Sequence, residues 1–158
     1  MEELFKKLYN KDINSFNKIL KENLIKNKKT FIVTANPETF MKSESDEELN
    51  ILLHDKDTIL VPDGIGIVKA SRKIGYDIKE RITGIDLANT LLDYGNELQK
   101  TIYLFGSKQE VIDSMLTVLN DKYPNLTVVG ASNGYEKDKD KVFEKIAKTK
   151  PDIVLVAL

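Results

Sequence analysis

The sequence predicts an α/β fold, a Rossmann-like, doubly wound and mostly parallel sheet flanked by helices. Short runs of β-branched and aromatic residues alternate along the chain with amphipathic helical stretches. Several of those runs close on turns rich in glycine, proline or asparagine, and the last run is apolar throughout. Strands of this kind are joined by crossover helices, and their ligands gather at the strand-to-helix loops.

The elements follow in order. Phe16, Ile19, Leu20 and Leu24 recur at helical spacing, so residues 13–26 form an amphipathic helix, and residues 27–30 a solvated turn. Residues 31–34 are a buried strand, and Pro37 suits the first turn of the helix behind it. A polar patch at 43–46 breaks that helix before a second piece at 47–53. The second strand, 58–61, closes on Pro62-Asp63-Gly64, and a helical stretch continues to Lys73. Thr83-Gly84 opens a periodic helix with Ile85, Ala88, Leu91, Leu92 and Leu98 on its inner side. Residues 101–105 are the clearest strand, closed by Gly106-Ser107, and Val111, Ile112, Met115, Leu116 and Leu119 then form a core-facing helix stripe. Residues 126–129 make a further strand, 130–135 a long turn, and Val142, Phe143, Ile146 and Ala147 mark the next helix. The closing run, 151–158, is too apolar for an edge strand and reads as the centre of the sheet. The loop after such a strand is where ligands are met, and the sequence stops there. The expectation is therefore a single domain over residues 1–158 that is truncated at its C-terminus.

Composition narrows the chemistry. With 158 residues the chain suits one domain, and 41% apolar with 31% charged residues is ordinary for a globular protein. The absence of cysteine removes disulfides, thiolate metal sites and cysteine nucleophiles, and one histidine disfavours an imidazole metal site. A net charge of −1, from 24 basic and 25 acidic residues, gives no field to hold a nucleic-acid backbone. Only Arg72 and Arg81 are arginines, the residue best suited to a bidentate phosphate contact. The N-terminus lacks a basic region followed by an apolar run, and no stretch approaches the roughly 20 apolar residues of a membrane span, so the expected location is cytoplasmic.

Three segments at strand ends carry candidate chemistry. In Thr34-Ala35-Asn36-Pro37-Glu38, Thr34 and Asn36 present a hydroxyl and an amide that could hold a sugar hydroxyl or acetamido group, or could cap the helix opened by Pro37. In Pro62-Asp63-Gly64-Ile65-Gly66, Asp63 meets a glycine turn where its carboxylate could accept a proton from an attacking hydroxyl, or could cap the next helix. Gly64 and Gly66 allow close backbone approach to a ligand. Lys69 stands where a dinucleotide fingerprint needs its third glycine, which disfavours a nicotinamide dehydrogenase, and no phosphate-binding loop of the nucleotide-triphosphatase kind is present. In Glu80-Arg81-Ile82-Thr83-Gly84-Ile85-Asp86, Arg81 precedes a helix start marked by Thr83 and Gly84. It could clamp a diphosphate beside free helix amides, or pair with Glu80, Asp86 or another carboxylate. Arg72 and His54 lack such context and read as structural. Gly106 and Ser107 could touch a nucleotide's ribose or phosphate, or simply start a helix, and Tyr135 could stack on a base or pack on its loop. The Asp55-Lys56-Asp57 and Asp138-Lys139-Asp140 pairs lie away from strand ends, so no metal and no other cofactor is expected.

Taken together, Thr-x-Asn-Pro-Glu, Pro-Asp-Gly-x-Gly, Glu-Arg-x-Thr-Gly-x-Asp, Leu-Phe-Gly and the closing Pro-Asp-Ile-Val-Leu-Val-Ala resemble the WecG/TagA/CpsF glycosyltransferase family, in order and over nearly the whole chain. The resemblance implies a metal-independent, inverting transfer of N-acetylmannosamine from its UDP donor. The acceptor would be the C4 hydroxyl of N-acetylglucosamine on undecaprenyl diphosphate, and the product the wall teichoic acid linkage unit. The family's catalytic aspartate falls on Asp63, its polar pair near the donor sugar on Thr34 and Asn36, and its basic element on Arg81. Family members continue with a Gly-x-Pro-x-Gln-Glu-like loop, further helices and a basic appendage that this sequence lacks. By that resemblance the full-length enzyme is peripheral on the inner face of the cytoplasmic membrane, because each buried methylene of the acceptor lipid is worth roughly 0.8 kcal/mol. The chain alone would be weakly active or inactive and would pair with another copy to cover exposed surface. The rivals are a related transferase using another UDP-sugar, or a non-catalytic nucleotide-binding domain.

Overall fold

The structure, a computed structural model, describes residues 2–157. Met1 and Leu158, which end the first and last segments considered above, lie outside them. Helices and strands alternate, every strand pair is parallel, and the architecture is a Rossmann-like α/β fold. The strands are hydrogen-bonded as two sheets, one in each of two compact units, residues 1–87 and 88–158.

The first unit opens with a helix that hydrophobic spacing did not reveal, α1 (Glu2–Lys7), which buries Leu4 and Phe5. Behind it Leu8 makes a parallel bridge to Leu60, and the Tyr9 N–H donates to the Leu60 carbonyl at 2.8 Å. Next comes α2 (Ile13–Ile25), whose N-cap Asp12 accepts from the Ser15 N–H at 2.8 Å and whose Phe16 and Leu20 are buried. Strand β1 (Phe31–Ala35) pairs with β2 (Thr58–Pro62) in unbroken register, from Phe31 opposite Thr58 to Ala35 opposite Pro62. Between them lie α3 (Pro37–Ser43) and α4 (Glu47–His54). The break expected at the polar patch is made by Asp46, which caps α4 through the Leu49 N–H at 3.0 Å. Lys7 closes the other end of α4 by donating to the carbonyls of Leu53 and Asp55. Helix α5 (Ile65–Lys73) follows β2, and Leu4, Phe40, Leu53, Leu60, Ile67 and Ile78 form the heart of this unit's core. Each such side chain contributes about 1.5–3 kcal/mol relative to exposure.

Helix α6 (Gly84–Glu97) carries the chain into the second unit. Its burial corrects one expectation: Ile85 is 75% exposed, while Leu87 and Leu92 are buried. Ile85 lies in the first turn of α6. In the second unit β3 (Thr101–Gly106) lies between β4 (Thr127–Ser132) and β5 (Ile153–Ala157), with α7 (Gln109–Lys122) and α8 (Lys139–Thr149) as the connecting helices. Strand β3 is buried on both faces, so it is the central strand, and β5 lies at the margin of this sheet with Val156 57% exposed. The apolarity of β5 reports a tendency to be covered; which neighbour a strand pairs with is a backbone matter that composition does not encode.

Residues 130–132, expected as turn, belong to β4. The register shifts between Ile102, opposite Val128, and Tyr103, opposite Gly130, leaving Val129 as the extra residue of a bulge. Gly130 is required there because a Cβ would lie 2.4 Å from the Tyr103 ring. The Tyr103 hydroxyl in turn shares a buried 2.7 Å hydrogen bond with Ser132 Oγ. Of the expected helix stripes, Ile112, Leu119 and Val142 are buried, whereas Val111 and Ala147 are exposed because they lie at the edges of their stripes. Phe143, also largely exposed, still meets the Phe105 ring edge-on at 6.0 Å. At the base of the sheet Asp152 Oδ2 accepts from both the N–H and the hydroxyl of Thr101, each at 2.8 Å, with the Lys100 ammonium 3.5 Å from Oδ1.

Two outcomes test this packing. Gly130→Val should destabilise the protein by about 1–3 kcal/mol, as overpacking a filled site does, read from its urea midpoint. Desolvation pushes the Asp152 carboxyl up, but the Thr101 hydrogen bonds and the Lys100 cation outweigh it and hold the group below its ordinary value. A depressed folded-state pKa means stability that is fully present above the ordinary carboxylate value and lost as pH falls from there through the lowered folded-state value. Asp152 is solvent-exposed and its pairing is screened, so Asp152→Ala should cost about 0.5–1.5 kcal/mol at neutral pH, and the gap to the parent should shrink as unfolding is measured at progressively lower pH.

Candidate functional site

In a parallel pair both strands end on the same side, so β1 and β2 deliver Thr34 and Asp63 to one edge of their sheet. Asp63 follows directly on β2, and its own N–H donates to the Ala35 carbonyl at 2.9 Å. Its Oδ2 accepts the Gly84 N–H, the first amide of α6, at 3.2 Å, and its Oδ1 is 3.9 Å from Arg81 Nε. A Cβ at Gly84 would stand 3.7 Å from the Thr34 hydroxyl oxygen and 3.8 Å from Asp63 Oδ2, so the three groups crowd one point. Arg81 is half-exposed and Asp63 partly so, which leaves both within reach of a ligand. Thr34, Asp63, Arg81 and Gly84, drawn from three chain segments, are thus brought together. Arg81 takes neither of the neighbouring carboxylates as its partner: Asp86 is bound to Thr83, and Glu80 accepts from Ile13 N–H.

The remaining candidates of this unit have other employment. Asn36 is the N-cap of α3, with Oδ1 accepting from the Thr39 N–H at 2.9 Å and its hydroxyl at 3.0 Å in a closed capping box. Thr83 caps α6, accepting the Asp86 N–H at 3.1 Å and donating its hydroxyl to Asp86 Oδ2 at 2.6 Å. Both side chains thus cap a helix start, the alternative considered above for Asn36. Gly64 has φ +89° with open space around its missing side chain, so it serves the turn itself. Gly66 serves packing, since a Cβ would lie 2.9 Å from the Pro37 ring. Arg72 pairs with Asp77 at 3.6 Å, and His54 Nδ1 lies 2.9 Å from the Asn50 carbonyl, both at the surface.

In the second unit Ser107, Gly134, Tyr135, Lys139 and Ala157 line an open hollow of about 310 Å³. Gly106 closes on β5 so tightly that a Cβ would overlap the Ala157 carbonyl, and its φ of +121° is one only glycine adopts readily. Ser107 follows at φ +58° and donates its N–H to the Ala157 carbonyl at 2.7 Å, while its own carbonyl accepts from Gly134 at 2.9 Å. Tyr135 is 73% exposed, leaving a ring face free to stack. Lys139, not singled out from sequence, donates to the Gly134 carbonyl at 2.5 Å and stands over the Phe105 ring. Its only sequence signal was a cation beside a turn, which is common on any surface. The two Asp-x-Asp pairs are turn and cap residues: Asp55 Oδ1 accepts from Asp57 N–H, and Asp138 caps α8. Among the described residues no group of three or more His, Cys, Asp or Glu is gathered to hold a metal ion, and no helix is long and apolar enough to cross a membrane.

A carboxylate, a guanidinium and a hydroxyl thus stand together at strand ends, beside the N-terminus of α6. The chain belongs to the WecG/TagA/CpsF family of glycosyl transferases, whose pattern it matches over residues 5–158. It is similar to proteins named N-acetylglucosaminyldiphosphoundecaprenol N-acetyl-beta-D-mannosaminyltransferase from three bacteria. The Bacillus spizizenii W23 protein is 39% identical over 85% of this chain and 52% of its own length. The Bacillus subtilis 168 protein is 35% identical over 94% and 58%, and that of Staphylococcus aureus NCTC 8325 is 29% identical over 81% and 50%. The chain spans about half the length of the curated relatives it matches.

Because Gly64 is held at positive φ with nothing to clash, Gly64→Ala isolates backbone strain. It should lower stability by about 1–3 kcal/mol in urea unfolding, without the steric shift that Gly66→Ala would force on Pro37.

Proposed function

We propose that the protein is an inverting glycosyltransferase that moves N-acetylmannosamine from UDP-N-acetylmannosamine to the C4 hydroxyl of N-acetylglucosamine on undecaprenyl diphosphate, forming the wall teichoic acid linkage unit. Family membership and the names of the relatives support the donor and acceptor. The single observation that carries the chemistry is the Asp63 carboxylate, oriented by the Gly84 N–H beside Arg81 and Thr34.

In this reading Asp63 takes the proton of the acceptor hydroxyl as that oxygen bonds to the anomeric carbon of the donor. The bond from that carbon to the UDP oxygen breaks on the opposite face, which inverts the centre, and the electron pair leaves with the diphosphate. Arg81 meets the charge that grows on the diphosphate, where a fixed donor stabilises the transition state more than the ground state. Thr34 steadies the sugar, with Asn36, Gly64, Gly66, Thr83 and Gly84 shaping the loops around it. In the second unit we assign Gly106, Ser107 and Tyr135 to the nucleotide, the exposed Tyr135 ring offering a stacking face for uracil. We assign both units to one glycosyltransferase domain, since the family match runs through both. The protein works at the inner face of the cytoplasmic membrane, where a lipid-linked acceptor is confined, and needs no metal ion.

The test is transfer of a mass-tagged donor to an undecaprenyl-diphosphate-N-acetylglucosamine analogue by the intact protein. Asp63→Asn should lower turnover roughly 10²–10⁴-fold while UDP still binds, and the parent should keep its rate in excess chelator. Undiminished turnover by Asp63→Asn would overturn the assignment of the base, and equal use of other UDP-sugars would overturn that of the donor.

A further inference from the structure

Residues 76–83, between α5 and α6, have no regular secondary structure, yet their burial alternates. Ile78 and Ile82 are fully buried, Glu80 is half-buried between them, and Lys79 and Arg81 are exposed. Period two is the signature of an extended chain whose successive side chains point to opposite sides. Hydrogen bonds tie the middle of this strap to its surroundings. The Lys79 N–H donates to Asn10 Oδ1 at 2.9 Å, and the Ile82 N–H donates to the Pro62 carbonyl at 2.9 Å. Between them the Ile13 N–H donates to Glu80 Oε2 at 2.7 Å. Ile13 is the first residue of α2, whose leading amides have no partner within the helix. Asp12 takes the Ser15 amide and Glu80 takes that of Ile13, so two carboxylates divide the helix terminus. The residue beside Arg81 is therefore anchored to α2, on the side of the strap opposite the one Arg81 uses to reach Asp63.

We infer that Glu80 is a positioning residue: its bond to the α2 N-terminus holds the strap so that the Arg81 guanidinium stands beside Asp63. This rests on the roles proposed above for Asp63 and Arg81, and it adds the loop between α1 and α2 to the scaffold of the site. The Arg81–Asp63 separation of 3.9 Å is already at the outer limit of an ion pair. A small slip of the strap would remove the guanidinium from the reacting diphosphate, and a misplacement of about 1 Å can cost on the order of 10²-fold in rate.

The intact protein is assayed as Glu80→Ala, Glu80→Gln, Arg81→Ala, the Glu80→Ala/Arg81→Ala double variant, Asp12→Ala and Asp63→Asn. Glu80→Ala should lower kcat roughly 10–100-fold with the donor KM little changed, as loss of an interaction made in the transition state does. Glu80→Gln keeps an acceptor oxygen for the Ile13 amide and should restore most of the rate. In the Arg81→Ala background Glu80→Ala should cost nothing further, because it acts through the arginine. Asp12→Ala weakens the helix terminus that Glu80 grips and should lower kcat in the same direction by a smaller factor. A Glu80→Ala enzyme with parental kcat, or one whose loss adds fully to that of Arg81→Ala, overturns the inference. Turnover that survives Asp63→Asn overturns the underlying assignment instead.

Discussion

Parallel pairing of β1 with β2 in unbroken register sets everything at the candidate site, because it brings the ends of both strands to one edge with Ala35 opposite Pro62. The next residue of each chain is then a loop residue at the same level, and the Asp63 amide closes the pair onto the Ala35 carbonyl. From there Asp63 has only a short distance to cross to the first amide of α6. That hydrogen bond places a carboxylate, a helix terminus and the Arg81 strap at one point. Remove the register and Thr34, Asp63 and Gly84 would have no reason to meet.

Many of the polar side chains in both units work for the backbone. Asn36, Asp12, Asp46, Thr83 and Asp138 each take an amide at a helix start, and Glu80 takes another. A fold of short helices has many unsatisfied amides, so its surface polar residues are largely committed to them. Against that background Asp63 differs. The amide it takes, that of Gly84, belongs to a helix already capped by Thr83, and the carboxylate also faces a guanidinium that is not a capping group. That combination sets Asp63 apart from the other caps, and the role proposed for it rests on that difference.

The second unit is held by a different device. Tyr103 is buried at the centre of a three-stranded sheet, and the room for its ring comes from a bulge and a glycine in the neighbouring strand. The same strand, β3, ends at Gly106, where the close approach of the Ala157 carbonyl excludes any side chain and turns the chain into the hollow lined by Ser107 and Tyr135. Packing at one end of the strand and the shape of the hollow at the other are therefore two consequences of where β4 and β5 lie against it.

Sequence by itself determined the order and type of nearly all the elements, because apolar periodicity and capping residues are local signals: Asp46 after the polar patch, Pro37 after β1, and Gly106 after β3 were all legible. It also singled out Thr34 and Asp63 as candidates, by their place at the ends of apolar strands, and Arg81, by its place before a helix start. Only the tertiary structure decided which polar groups were spent on caps, because a capping aspartate or asparagine and a ligand-binding one look alike until their partners are seen. It likewise decided that β3 rather than β5 is the central strand of its sheet, that residues 130–132 belong to β4, and that Ile85 faces outward. These depend on pairings between residues far apart in the chain, and the energy of a backbone ladder or a packed ring is not written in either partner alone.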